Sequence, residues 1–104
     1  MIVSTIGCTM FEWDEEKRLE NIEKHGVDFI RAAMIFEGPI IEDIDGRKDY
    51  GELRFRAIGH MENEFYVVIY TWRDETRRII SAWKAGENGK RKYQAAVAGR
   101  AENP

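Results

Sequence analysis

Histidine, lysine and arginine recur in this chain at spacings that suit acid–base chemistry beside a phosphate. Lys24 and His25 are adjacent. Histidine ordinarily titrates near neutrality, which fits general acid–base work, and a neighbouring lysine can contact phosphate. The same pair also suits the last turn of a helix, where cations complement the dipole. Thr71 and Arg73 are two apart in a strand-like run, so alternation puts them on one face. A guanidinium held at a sheet edge is suited to bidentate phosphate contact, although beside Asp74 it also reads as a turn-flanking surface charge. In the last strand, alternation groups Arg78 with Lys84 on one face and Arg77 with Ser81 and Trp83 on the other. Glu52 and Arg54 share a face, either as an ion pair or with Glu52 as a base. Tyr93 can stack a base or pack the core, and packing is the stronger reading.

Other chemistries lack their residues. Ser81 has no Gly-x-Ser-x-Gly elbow around it, so it reads as a packing residue or hydroxyl donor rather than a nucleophile. His60, Glu62 and Glu64 are too poor in nitrogen for a zinc site. Cys8 is the only cysteine, which excludes an intrachain disulfide and a cysteine-based metal site.

The elements that must position these residues follow from pattern. Phe11-Glu12-Trp13 alternates like a short strand. Asp14 is a good N-cap, Glu15 and Glu16 suit the first turn, and Gly26 suits a left-handed C-cap, which predicts a helix between them. Asp28 caps again before the stripe Phe29, Ile30, Ala33 and Phe36, and Gly38-Pro39 ends that helix. Ile40–Ile44 reads as a strand, then a polar loop to about Glu52, then Leu53–Gly59 as a second strand. Phe65–Trp72 is a near-continuous β-branched and aromatic run, typical of a central strand. Arg77–Lys84 is the last strand, and a helix runs from about Glu87 to Val97. The expected class is α+β: an antiparallel sheet of about four to five strands, two N-terminal helices and one C-terminal helix, all covering one face. Residues 1–10 read as a flexible lead-in, 11–98 as a single domain and 99–104 as a frayed tail.

The composition fits a soluble globular domain of 104 residues, 43% hydrophobic and 34% charged. No apolar run nears the roughly 20 residues that span a bilayer, and the N-terminus makes a poor signal peptide, so the cytoplasm is expected and no membrane. The net charge of −3 argues against nucleic acid until its distribution is considered. Residues 1–64 net −7 and residues 65–104 net +4, which points to a basic face in the C-terminal half.

Several segments together resemble the BrnT family. They are Phe11-Glu12-Trp13-Asp14 with Lys17, then Asn21 and Lys24-His25-Gly26-Val27-Asp28-Phe29, then Ala32-Ala33 and Phe36. Tyr50-Gly51-Glu52 with Arg54 follows, and then Val67-Val68-Ile69-Tyr70-Thr71 with Arg73. Arg78-Ile79-Ile80-Ser81-Ala82, Lys84-Ala85 and Tyr93 close the set. The resemblance implies a RelE-like fold with RNA approaching the sheet face opposite the helices. It implies a type II toxin that cleaves RNA without metal or cofactor. Its partner would be a BrnA-like antitoxin, in a heterotetramer that meets operator DNA only through the antitoxin. His25, Lys24, Arg73 and Glu52 are then the candidate catalytic residues. Arg54, Thr71, Arg77, Arg78, Ser81, Trp83, Lys84 and Tyr93 are candidate RNA contacts. The family usually carries arginine where this chain has Trp83, so a weakened toxin that serves as an antitoxin-binding module is the alternative. A small nucleic-acid-binding domain unrelated to toxins is the third reading.

Overall fold

The computed structural model describes residues 2–6, 9–46 and 51–102. Local signals set the first half. Asp14 accepts from the backbone N–H groups of Glu16 and Lys17, which starts helix α1, Glu15–His25. Gly26 ends it in the left-handed region at φ 67°, with its N–H on the carbonyl of Ile22. Asp28 caps the short helix α2, Phe29–Ala32, which continues as a 3₁₀ turn over Ala33–Glu37. The expected second helix is thus one α-turn and one 3₁₀ segment. Its Ile35 is drawn tightly onto the sheet: a Cβ placed on Gly59 would stand 2.7 Å from the Cβ of Ile35, so only glycine fits there.

The strands are β1 (Ile2–Ile6), β2 (Thr9–Trp13), β3 (Ile41–Ile44), β4 (Phe55–Met61), β5 (Glu64–Arg73) and β6 (Thr76–Lys84), followed by helix α3 (Glu87–Glu102). They form one six-stranded sheet in the order β1-β2-β6-β5-β4-β3. The β3-β4-β5-β6 meander is antiparallel, as its short turns require. The sheet is nevertheless mixed, because β2 returns beside β6 in parallel. This corrects the expected four to five antiparallel strands. Residues 2–6, read as a loose lead-in, pair antiparallel with β2. Helix α3 likewise carries the backbone to Glu102, past the expected start of the frayed tail.

A further correction concerns the helices. The main core joins Phe11, Trp13, Phe29, Ile35, Val68 and Tyr70 beneath α1, α2 and the 3₁₀ turn. A second core, around Ile58, Val67, Ile69 and Tyr93, lies on the other face beneath α3. The unbroken apolar run of β5 supplies both, since successive side chains point to opposite faces and each needs cover. One face therefore belongs to α1 and α2. The other is covered by α3 over part of its area.

Candidate nucleic-acid interface

The site begins at the outer edge of β6. Among the described residues β2 pairs with β6 only over Thr76–Arg78, and beyond that α1 lies along the edge. Asn21 closes the gap. Its carboxamide Nδ2 donates to the carbonyls of Ala82 (2.7 Å) and Val27 (2.9 Å), and its Oδ1 accepts from the Ala82 N–H (3.2 Å) and the Ser81 hydroxyl (3.3 Å). One buried amide thus does for Ala82 what a neighbouring strand would do. It fixes the last turn of α1, and with it Lys24 and His25, against the sheet.

Beside this clamp lies a hollow of about 570 Å³ lined by Lys24, His25, Ser81, Trp83 and Lys84. An adjoining depression adds Lys17, Glu20 and Asn21. The His25 imidazole packs against the Trp83 indole, with centroids 5.9 Å apart and planes tilted by 42°. Lys84 reaches back to Glu64 at 3.0 Å. The hydrogen bond raises the pKa of the lysine and lowers that of the glutamate, so the pair is charged at neutral pH.

A bulge decides which residues of β6 face which way. Pairing runs Val68↔Ala82 and Ile69↔Ser81, then shifts to Tyr70↔Ile79 and Thr71↔Arg78, so Ile80 is the extra residue. Arg78, Ser81 and Trp83 therefore share the α3 face with Thr71 and Ile69. Arg77 and Lys84 point with Ile79 and Ala82 to the other side. This overturns the grouping expected from unbroken alternation. On the α3 face, rows run across the strands. Arg78 lies beside Thr71 and approaches Glu12 at 4.0 Å. Arg54, one residue before Phe55, continues the Thr71 row and is bridged to Glu52 at 3.4 Å. Exposed Arg73 stands at the hairpin tip opposite Thr76. The Thr71 hydroxyl donates to the carbonyl of Leu53 at 2.7 Å and thereby serves the sheet.

Two of the sequence-derived residues lie elsewhere. Arg77 sits on the α1 side with its guanidinium 4.3 Å from the ring centre of Phe36, 4.5 Å from Trp72 and 5.2 Å from Tyr70. Burial lowers its pKa, opposed by the charge of Glu42. Tyr93 is 4% exposed and donates to the carbonyl of Pro39 at 2.9 Å, as the packing reading requires. Sequence reasoning missed the positioning role of Asn21. The available signal was a poor helix former in mid-helix, one turn before Lys24 and His25.

Arg56 was also missed. It grips Asp43 in two hydrogen bonds of 3.1 and 2.8 Å, and Lys92 adds a contact at 3.5 Å. The Arg56 guanidinium holds the Asp43 carboxyl below its usual range, with partial burial opposing. A carboxylate whose folded pKa is depressed adds stability above the unfolded value, about pH 4, and loses it as pH falls through the lower folded value. Asp43→Asn is therefore expected to melt below the parent chain at pH 7. Melting curves taken downward from pH 5 should show the two proteins converging below about pH 4.

Fold and hollow together define a small α+β domain with a cation-lined edge beside a sheet face that carries arginines, an arrangement suited to a phosphate backbone. The chain belongs to the BrnT family: the family model for the ribonuclease toxin, BrnT, of type II toxin–antitoxin systems matches residues 13–88. At the family level this means a ribonuclease and a protein antitoxin. No curated protein matches the chain. Among the described residues no helix is long and apolar enough to cross a membrane, and no group of three or more His, Cys, Asp or Glu side chains could hold a metal.

Proposed function

We propose that the chain is a RelE-like, metal-independent endoribonuclease that stops translation in the cytoplasm and is neutralised by a BrnA-like antitoxin. The observation that carries this reading is the hollow that brings Lys24 and His25 to Ser81 and Trp83 at the edge of β6. In such a reaction the RNA 2′-hydroxyl attacks the adjacent phosphorus. The O2′–P bond forms and the P–O5′ bond breaks, which leaves a 2′,3′-cyclic phosphate and a free 5′-hydroxyl. A base must take the 2′ proton, an acid must supply one to O5′, and cations must offset the phosphorane charge. His25 is the proton-transfer group on the exposed rim of the hollow. Lys24 is its cationic neighbour. Arg54, Arg73 and Arg78 steer the backbone across the sheet face, and Thr71 holds their strands in register. Glu52 stays with Arg54 as an ion pair. The antitoxin covers this face as part of a heterotetramer, which meets operator DNA through the antitoxin.

A second reading rests on Trp83, whose indole packs on His25 at the position where the resemblance implies an arginine. Loss of one charge-stabilising donor can cost on the order of 100-fold in rate. The chain would then be a weakened toxin that serves as an antitoxin-binding module. Incubation of antitoxin-free protein with a long RNA in EDTA, beside Trp83→Arg, separates the readings. Cleavage by both proteins is expected. Cleavage by the variant alone makes the natural chain a disabled toxin. If neither protein cuts free or ribosome-bound RNA, the ribonuclease proposal fails.

A further inference from the structure

Trp83 lines two cavities and is the only described residue they share. One is the hollow with Lys24 and His25. The other is a cleft of about 480 Å³ between the sheet and the start of α3. The indole is therefore the partition between them, and their chemistries differ. The hollow carries Lys24 and His25, with Lys84 turned to Glu64 and the Ser81 hydroxyl to Asn21. The cleft has an apolar wall of Ile58, Val67 and Trp83. Gly86 and Gly89 line its α3 side, with open space beside Gly86 and close packing of Gly89 on Ala85. Its cations, Arg56 and Lys92, are both drawn to Asp43, and Glu87 adds a further negative charge. A phosphate gains little in such charge-balanced surroundings. A flat, neutral, polarisable ring with hydrogen-bonding edges gains from the wall and from the polar rim that Asn88 and Glu87 supply.

We propose that Trp83 is a nucleobase platform: the cleft between its indole and the start of α3 takes one unstacked RNA base, while the adjoining phosphate lies in the hollow beyond the indole. The inference rests on the ribonuclease reading and adds a binding subsite to it. The cleft's volume lies within the range of small-molecule sites. Stacking on an aromatic ring is tolerant of base identity, since every base has a π-face. Trp83 then sets the grip and register of the strand. It takes no part in the proton transfers.

The test uses a short RNA whose 2′-hydroxyls are methylated, which blocks the attacking group, with 2-aminopurine as reporter base. On the parent chain and on Trp83→Phe the reporter's fluorescence should be quenched by stacking. On Trp83→Ala the RNA should bind about 5- to 150-fold more weakly, with the quench lost. Retention by the phenylalanine variant separates stacking from a folding defect. Equal binding and equal quenching by Trp83→Ala would overturn the platform. So would a parent chain that cleaves ordinary RNA yet leaves the reporter unquenched, and in that case the ribonuclease reading survives. A parent chain that neither binds nor cleaves RNA overturns both.

Discussion

Asn21→Ala should be among the most destabilising single substitutions in this protein. The side chain is 5% exposed and makes four hydrogen bonds, three of them with backbone groups. Its removal strands the N–H and carbonyl of Ala82 and the carbonyl of Val27 beneath α1. A buried polar group left without a partner costs about 1–3 kcal/mol, and water entering beside α1 would recover part of that. The expected loss is about 3 kcal/mol, which for a domain of this size lowers Tm by roughly 10–25 °C. Asn21→Asp is a sharp companion: it keeps the acceptor oxygen, loses both N–H donors and brings a charge into a buried site, so it should be no better tolerated. Thermal melts of the three proteins decide the matter. A Tm within a few degrees of the parent for Asn21→Ala would mean that α1 holds the edge of β6 by packing alone. Because the clamp fixes Lys24 and His25, either variant should also bind RNA more weakly below its own melting point.

His25→Ala should leave the fold intact and slow RNA cleavage by a factor of 100 to 10,000, the usual range for a positioned proton-transfer group. The side chain is exposed, so a large stability change is not expected. Single-turnover cleavage across pH 5–9 distinguishes roles. A proton-transfer group leaves one limb of the pH–rate profile missing in the variant. A side chain that merely supports Trp83 through ring packing lowers the rate evenly at every pH. Lys24→Ala should slow cleavage evenly across that range, since a phosphate contact moves no proton. An unchanged rate for His25→Ala would remove His25 from the chemistry and leave Lys24 with the arginines of the sheet face.

Capping chemistry and hydrophobic periodicity determined much of this fold by themselves. Asp14 and Gly26 bound α1 where their side-chain and backbone preferences require. The turns at Glu62-Asn63 and Asp74-Glu75 define the meander, and the family was legible from the spacing of its motifs. Lys24, His25, Ser81 and Trp83 could be nominated because their residue types suit the chemistry. Whether they meet was decided in three dimensions. The bulge at Ile80 reversed the facing of half of β6, and nothing in Arg77–Lys84 marks it, because alternation can be read only while the ladder is regular. Arg77 was thereby turned into an aromatic nest and Ser81 toward Asn21. Tyr93 was spent on packing because the apolar run of β5 needs cover on both faces, which brought α3 to the face expected to be bare. The parallel seating of β2 beside β6 is likewise a long-range choice, which leaves an edge that a single asparagine must finish. Local preference fixes where an element starts and stops. Register and the pairing of distant strands depend on burial summed over the whole sheet, and the site at the edge of β6 is built from those.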